Sequence, residues 1–448
     1  MLFREAKPED QIRDEAGLRR AVDEALKSVR VFDVHTHLFP FSFERLCKWG
    51  IDDLLTYHYL VAELFRSCEI SPKAFFEMPE SRQADLVWRK LFVESVPLSE
   101  AAAGVCTVLT SLGLDPRAKD LSEAREYFAE VDPHEHLDVV LELAGVSDVV
   151  MTNDPLDDQE ALYWQSDSFV DPRFHAVLRL DPILCQWDQT WRKLDARGYK
   201  VDAEASPKAV DEVHRFLDSW SGRLQPRYLA VSLPPDFAYP DDSPRTRLLE
   251  GAVLHVCREL DVPLALMVGV RRGVNPELGL AGDGVGWADV SSIERLCERW
   301  PENRFLATVL ALENQHQLIV AARKFANLTP FGCWWFVNNP STIESITRMR
   351  FEMLGPTFIP QHSDARVLEQ LIYKWAHSRR VVADALYPSL RQLQLAGWFP
   401  TRAEVDGVVE RLFQGCARGT LCLDQIQAPL SVEVRPAKSQ VSEQQPKG

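Results

Sequence analysis

The strongest constraint on this chain is a beat. From residue 146 onward, short apolar runs of strand length alternate with stretches of helical periodicity. The runs cover 148–152, 174–180, 228–233, 264–268, 305–310, 331–336 and 357–360, and helical patterns fill 210–220, 245–260, 291–300, 315–325 and 341–354. With the run that opens at Val31, eight strands result, and eight strand-helix alternations predict a closed barrel whose site lies at the strands' C-terminal ends. The length, 448 residues, suits such a barrel carrying an insertion.

The insertion is visible in the sequence. Between Phe39 and about Leu143 there is no convincing strand, only helical stretches at 52–55, 59–66 and 81–92 punctuated by Pro72, Pro79 and Pro97. The expected architecture is α/β: a distorted (β/α)8 barrel of the TIM type over 31–425, with a helical insertion at about 40–145 after strand one. A helical lead-in over 1–30 precedes it, with Leu18, Val22, Leu26 and Val29 at helical spacing, and a polar, flexible tail over 426–448 follows.

The first run ends in His35-Thr36-His37. Side chains alternate along a strand, so the two imidazoles share a side and can converge on one cation, and histidine nitrogen suits zinc and its first-row neighbours. A third ligand must come from elsewhere. Strand eight of a closed barrel pairs with strand one and delivers Gln361-His362-Ser363-Asp364-Ala365-Arg366, which makes Asp364 the natural third ligand. A carboxylate touching both metal and substrate can also take a proton, and Arg366 supplies a bidentate donor for a carboxylate or a developing oxyanion. His362 reads as a packed or capping residue.

Other polar residues fall at the same level. Arg179 closes the third run, either as a substrate-binding group or in an internal salt bridge with Asp181. In the insertion, His58 and Tyr59 are two proton-passing groups side by side, a pair that packing alone could also explain. Trp334 and Trp335 end the seventh run, one facing the ligand and the other the outer helices. The glycine-rich loop from Gly279 to Gly286 resembles a phosphate cradle only superficially, lacking the Lys-Ser/Thr pair. Asn314 reads as a helix cap.

Charge narrows the partners. Acidic residues outnumber basic ones 66 to 50, for a net charge of −16, a surface that repels nucleic acid and anionic membranes. An anionic small molecule must then be held by locally placed arginines. No run of 18 or more apolar residues suggests a membrane span, the first residues are too charged for a secretory signal, and nine scattered cysteines fit reduced thiols in a cytoplasmic protein. A homo-oligomer is compatible with this composition.

Taken together, these motifs resemble a known group. His35-Thr36-His37 after strand one with an aspartate after strand eight resembles the amidohydrolase superfamily. Leu54-Leu55-Thr56-Tyr57-His58-Tyr59 behind a helical insertion, Arg179 after strand three, the tryptophan pair and Ser363-Asp364-Ala365-Arg366 look like the uronate isomerase family, over residues 30 to 425. The resemblance implies one divalent metal, usually zinc, held by His35, His37 and Asp364, and interconversion of hexuronates such as D-glucuronate with D-fructuronate and D-galacturonate with D-tagaturonate. It implies proton movement by Asp364 or Tyr59, tuning of Tyr59 by His58, substrate or enediolate contacts from Arg179 and Arg366, and a wall from Trp335.

The chain departs from many hydrolases of the superfamily in one way and from many uronate isomerases in another. Strand four ends in Ser232-Leu233-Pro234, strand five carries Met267 and strand six leads to Leu312-Glu313-Asn314, so ligands for a second metal are missing. Where many uronate isomerases read His-Ile-Gly and an Arg-Asn-rich loop, this chain has Met267-Val268-Gly269-Val270-Arg271-Arg272. A metal-dependent hydrolase of an ester, lactone or amide and a non-catalytic binding barrel are the rival readings.

Overall fold

The structure, a computed structural model, describes residues 8–166 and 170–421. The expected tail at 426–448 lies outside the described residues. Parallel strands β1 (Val31–Thr36) and β2 (Val146–Met151) pair, and β2 pairs with the start of a split third strand, Phe174–His175. The second part of that strand, Leu178–Arg179, pairs with β4 (Leu229–Leu233), and both parts together are called β3. β4 pairs with β5 (Leu264–Val268), β5 with β6 (Phe305–Val309), and β6 with β7 (Leu328–Pro330), all parallel.

Two isolated bridges and two hydrogen bonds turn these sheets into a ring. Asn153 bridges Leu178 and so joins the two sheets, and Phe331 bridges Ile359 in the eighth position. The seam closes where His37 N–H donates to the Ala365 carbonyl (2.7 Å) and Asp364 N–H to the His35 carbonyl (3.1 Å). The eighth strand is thus reduced to a bridge and a rim segment, which distorts the barrel without opening it.

The seventh strand needs correction. The apolar run 331–336 was expected to form it, but the strand is Leu328–Pro330, and the run turns across the barrel mouth into a 3-10 turn at Trp335–Val337. Beyond the single bridge at Phe331 its hydrophobicity reflects burial, not pairing: Cys333 and Trp334 are buried in irregular backbone and Trp335 in the turn. Gly332 (φ +63°) lets the chain turn, and a Cβ there would stand 1.9 Å from the His362 ring. Asn314 stands at the start of its helix without capping it, because its side chain bonds the Ala288 backbone N–H (2.8 Å) and C=O (3.0 Å).

Inside the ring, Phe32, Val34, Val150, Val177, Tyr228, Ala265, Met267, Leu306 and Phe331 form an inner apolar cluster, distinct from the layer between strands and helices. Burial of that order, roughly 2 kcal/mol for each large side chain, drives closure. The segment between β1 and β2 is helical, from a 3-10 turn at Phe41–Leu46 to the helix Pro133–Ala144. A buried ion pair and a buried hydrogen bond tie it to the helix region after strand eight: Lys374 Nζ to Glu100 Oε1 (2.7 Å) and His136 Nε2 to Glu369 Oε1 (2.8 Å). No helix among the described residues is long and apolar enough to cross a membrane.

Candidate metal centre and active site

The site grows from the barrel seam. The pairing register of β1 shifts between Asp33 and Thr36. Val34 therefore packs in the inner cluster while its neighbour His35 also reaches inward, with Nδ1 2.9 Å from the Tyr228 hydroxyl. Asp33 turns the other way and braces the seam. Its buried carboxylate accepts from the Ser363 N–H (3.1 Å), the His35 N–H (3.4 Å) and the Trp375 indole N–H (2.9 Å). Burial pushes its pKa up to about 6 against the pull of those hydrogen bonds.

Asp364 takes a left-handed backbone conformation (φ +55°), a costly choice for a residue with a side chain. It brings the carboxylate back over β1, with Oδ1 3.7 Å from His35 Nε2 and 3.4 Å from His37 Nε2. One ligand atom from each residue lies within 4.8 Å of the others. The three sequence candidates thus converge.

Hydrogen bonds show what these atoms are prepared for. The Tyr228 hydroxyl donates to the Val34 carbonyl (2.8 Å), so toward His35 it acts as acceptor from Nδ1–H. The Thr152 hydroxyl donates to the Thr36 carbonyl (3.2 Å) and so accepts from His37 Nδ1–H at 2.8 Å. In both rings the proton is held on Nδ1, and the Nε2 lone pair faces Asp364. Burial also holds both imidazoles below their ordinary pKa, His35 at about 3, so they are neutral and able to ligate.

Asp364 Oδ1 is buried without a hydrogen-bond partner among the described residues. Two neutral nitrogens and an unsatisfied carboxylate oxygen make a donor set that fits a divalent ion, and leaving that oxygen bare would cost more than filling it. His35, His37 and Asp364 are the one such cluster among the described residues. His362 is packed, as expected, its ring 5.0 Å from that of His35.

Tyr228 and Thr152 are functional positions that the sequence reading missed, since one looks like strand core and the other like a strand end. Thr152→Val and Tyr228→Phe keep shape and remove the acceptor. Each is expected to weaken metal affinity about 10- to 100-fold, read by competition with a chromophoric chelator, with far-UV circular dichroism unchanged.

Around this cluster the inner chamber is walled by Arg179, Asp181, Arg272, Trp335 and Arg366. Arg179 bonds Asp181 in bidentate fashion (2.9 and 3.0 Å), the internal salt bridge among the two expected alternatives, and its side chain also lines the chamber. Arg366 Nη2 lies 3.5 Å from His37 Nε2. Trp335 also has a left-handed backbone (φ +47°), and its buried indole N–H has no partner among the described residues. The chamber opens into a cleft of about 790 Å³, the size range of small-molecule sites.

His58 lines that cleft, with its ring edge toward Trp335 at 5.9 Å, and burial beside Arg366 holds it well below its ordinary pKa. Tyr57, not singled out from sequence, lines the cleft as well. Tyr59 packs against the inner cluster, its ring 4.8 Å from that of Tyr57. Burial raises both phenols above their ordinary pKa, so each is a proton donor or relay at neutral pH and not a free base.

An α/β barrel whose first and last strands bring two imidazoles and one carboxylate together at its C-terminal rim has the arrangement of a metal-dependent barrel enzyme and agrees with the amidohydrolase resemblance seen in the sequence. No protein-family model matches the chain, and no curated protein does. Solved structures do. A uronate isomerase from Bacillus halodurans C-125 is 49% identical, with TM-score 0.90, over 92% of this chain and 97% of that one. A glucuronate isomerase from Caulobacter crescentus (14% identity, TM-score 0.72, 94% and 97% covered) and a uronate isomerase from Thermotoga maritima (15%, 0.66, 94% and 100%) share the fold. The chain belongs to the uronate isomerase family and is an isomerase. The hydrolase and binding-barrel readings fall away.

Proposed function

We propose that this enzyme interconverts an aldohexuronate and its ketohexuronate, moving the carbonyl between C1 and C2 of the open chain. The reaction removes the proton at C2, passes through an enediolate and returns a proton to C1, while the O2 proton moves to O1. The unpartnered Asp364 Oδ1, set between two neutral imidazoles and beside Arg366, carries this reading.

Asp364 is the group we assign to C2 proton removal, because the nearby phenols are held protonated and burial beside Arg366 makes the His58 imidazole a weak base. Tyr59, packed beside Tyr57, and His58 on the cleft wall are suited to exchange a proton with the sugar oxygens. Arg366 offers donors to the enediolate oxygen, and Arg179, kept rigid by Asp181, to the substrate's polar groups. Trp335 walls the sugar and offers its N–H to a hydroxyl.

His35, His37 and Asp364 would hold one divalent ion, zinc by the nature of the donor set. When bound, it supplies a positive charge that favours the enediolate. The substrate is a small anionic sugar, in keeping with a chamber rich in arginine on a protein of net charge −16.

The test is isotopic. Zinc-loaded protein incubated with D-glucuronate in heavy water should produce the ketose with deuterium on C1, and recovered aldose with deuterium on C2. Ketose formation without solvent deuterium would sink the assignment of an exchangeable carboxylate base, and untouched uronate would sink the function.

A further inference from the structure

Between β5 and the next helix, this chain carries a feature that the family pattern does not anticipate. Gly269 (φ +120°) swings the backbone off β5 into a two-stranded antiparallel ribbon, Val270–Arg271 with Gly284–Val285. A Cβ at Gly269 would approach the Gly286 carbonyl to 3.0 Å, so the ribbon leaves the barrel at a fixed point. The next residue of the ribbon arm is Arg272, which reaches the inner chamber shared by His35, His37, Arg179 and Arg366.

The three chamber arginines are not equivalent. Arg179 gives Nε and Nη2 to Asp181, and Arg366 has Nη2 beside His37. Arg272 gives Nη1 to Asp283 Oδ2 (2.5 Å) and sets its guanidinium carbon 5.8 Å from the Trp335 ring centroid. Its Nε and Nη2 make no hydrogen bond among the described residues. Asp283 is itself fixed, since its other oxygen accepts from the Gly273 N–H (2.9 Å) and its side chain is only 7% exposed. One end of the fork is therefore anchored, one face rests against the residue assigned to wall the sugar, and the remaining donors suit a planar anion.

We propose that Arg272 is a specificity-determining residue that receives the substrate's carboxylate, with Asp283 as its positioning residue. This rests on the hexuronate reading above and extends it, because it separates the arginine that recognises the acid group from Arg366 at the metal edge. It also assigns a role to the departure from the family pattern at Val270-Arg271-Arg272: acid recognition comes from the ribbon.

The experiment compares full-length wild type, Arg272→Met, Arg272→Lys and Asp283→Asn, each loaded with zinc, on D-glucuronate and on the neutral analogue D-glucose. Half-exposed Arg272 tolerates replacement, and thermal melting checks it. The expected result is a KM for D-glucuronate raised on the order of 10- to 100-fold in Arg272→Met, less in Arg272→Lys, with kcat changed less than KM. Asp283→Asn moves KM in the same direction by a smaller factor. The preference for uronate over neutral aldose should collapse in Arg272→Met. A KM within threefold of wild type, or a loss confined to kcat, overturns the assignment while leaving the isomerase reading standing. Wild type inactive on D-glucuronate overturns both.

Discussion

Replacing Asp364 by Asn is expected to lower kcat by on the order of a thousandfold or more while leaving the barrel folded. Asn keeps an oxygen at the same place and shape, but it is neutral and cannot accept the C2 proton. Solvent deuterium incorporation into recovered D-glucuronate should disappear with turnover, because both need the same deprotonation. The measurement is steady-state kinetics beside the exchange assay, with metal content determined on the same sample to separate lost chemistry from a lost ion. Exchange within tenfold of wild type would move the base role away from Asp364, with Tyr59 the next group to examine.

The second large effect concerns the ion. Removing it with a chelator should abolish turnover and lower thermal stability together. A ligand present at a thousand times its Kd stabilises the folded state by about 4 kcal/mol, and here it also satisfies a buried carboxylate oxygen. Adding zinc back should restore both properties to stripped wild type, whereas His35→Ala should recover neither. Calorimetry read alongside activity checks this. A stripped sample with full turnover would remove the ion from the reaction.

Much of this was readable before the fold was known, for a physical reason. The strand-helix beat and the His-x-His step are local periodicities, and the position of Asp364 follows from the rule that a ring's last strand meets its first. What escaped was of two kinds. The run 331–336 has strand composition, yet Gly332 and the left-handed Trp335 turn it across the mouth, and hydrophobicity alone cannot tell a buried strand from a buried loop. Tyr228, Thr152 and Asp33 act on residues brought together only by closure: Tyr228 reaches His35 across 193 positions and Asp33 accepts from Trp375 across 342. No window along the chain contains such a pair. Tyr57 and Arg272 were named only inside longer motifs, Tyr57-His58-Tyr59 and Val270-Arg271-Arg272, because nothing local distinguishes either from its neighbours.

The seam has a consequence for how the protein comes into being. Its reactive cluster is split between the opening and the closing portions of the polypeptide, so a growing chain emerging from the ribosome holds two imidazoles with nothing opposite them until more than three hundred further residues have been made. Activity is thereby withheld from every incomplete product. Two fragments cut within the helical excursion after β1 should each be inert, and should recover turnover only when mixed and reassembled.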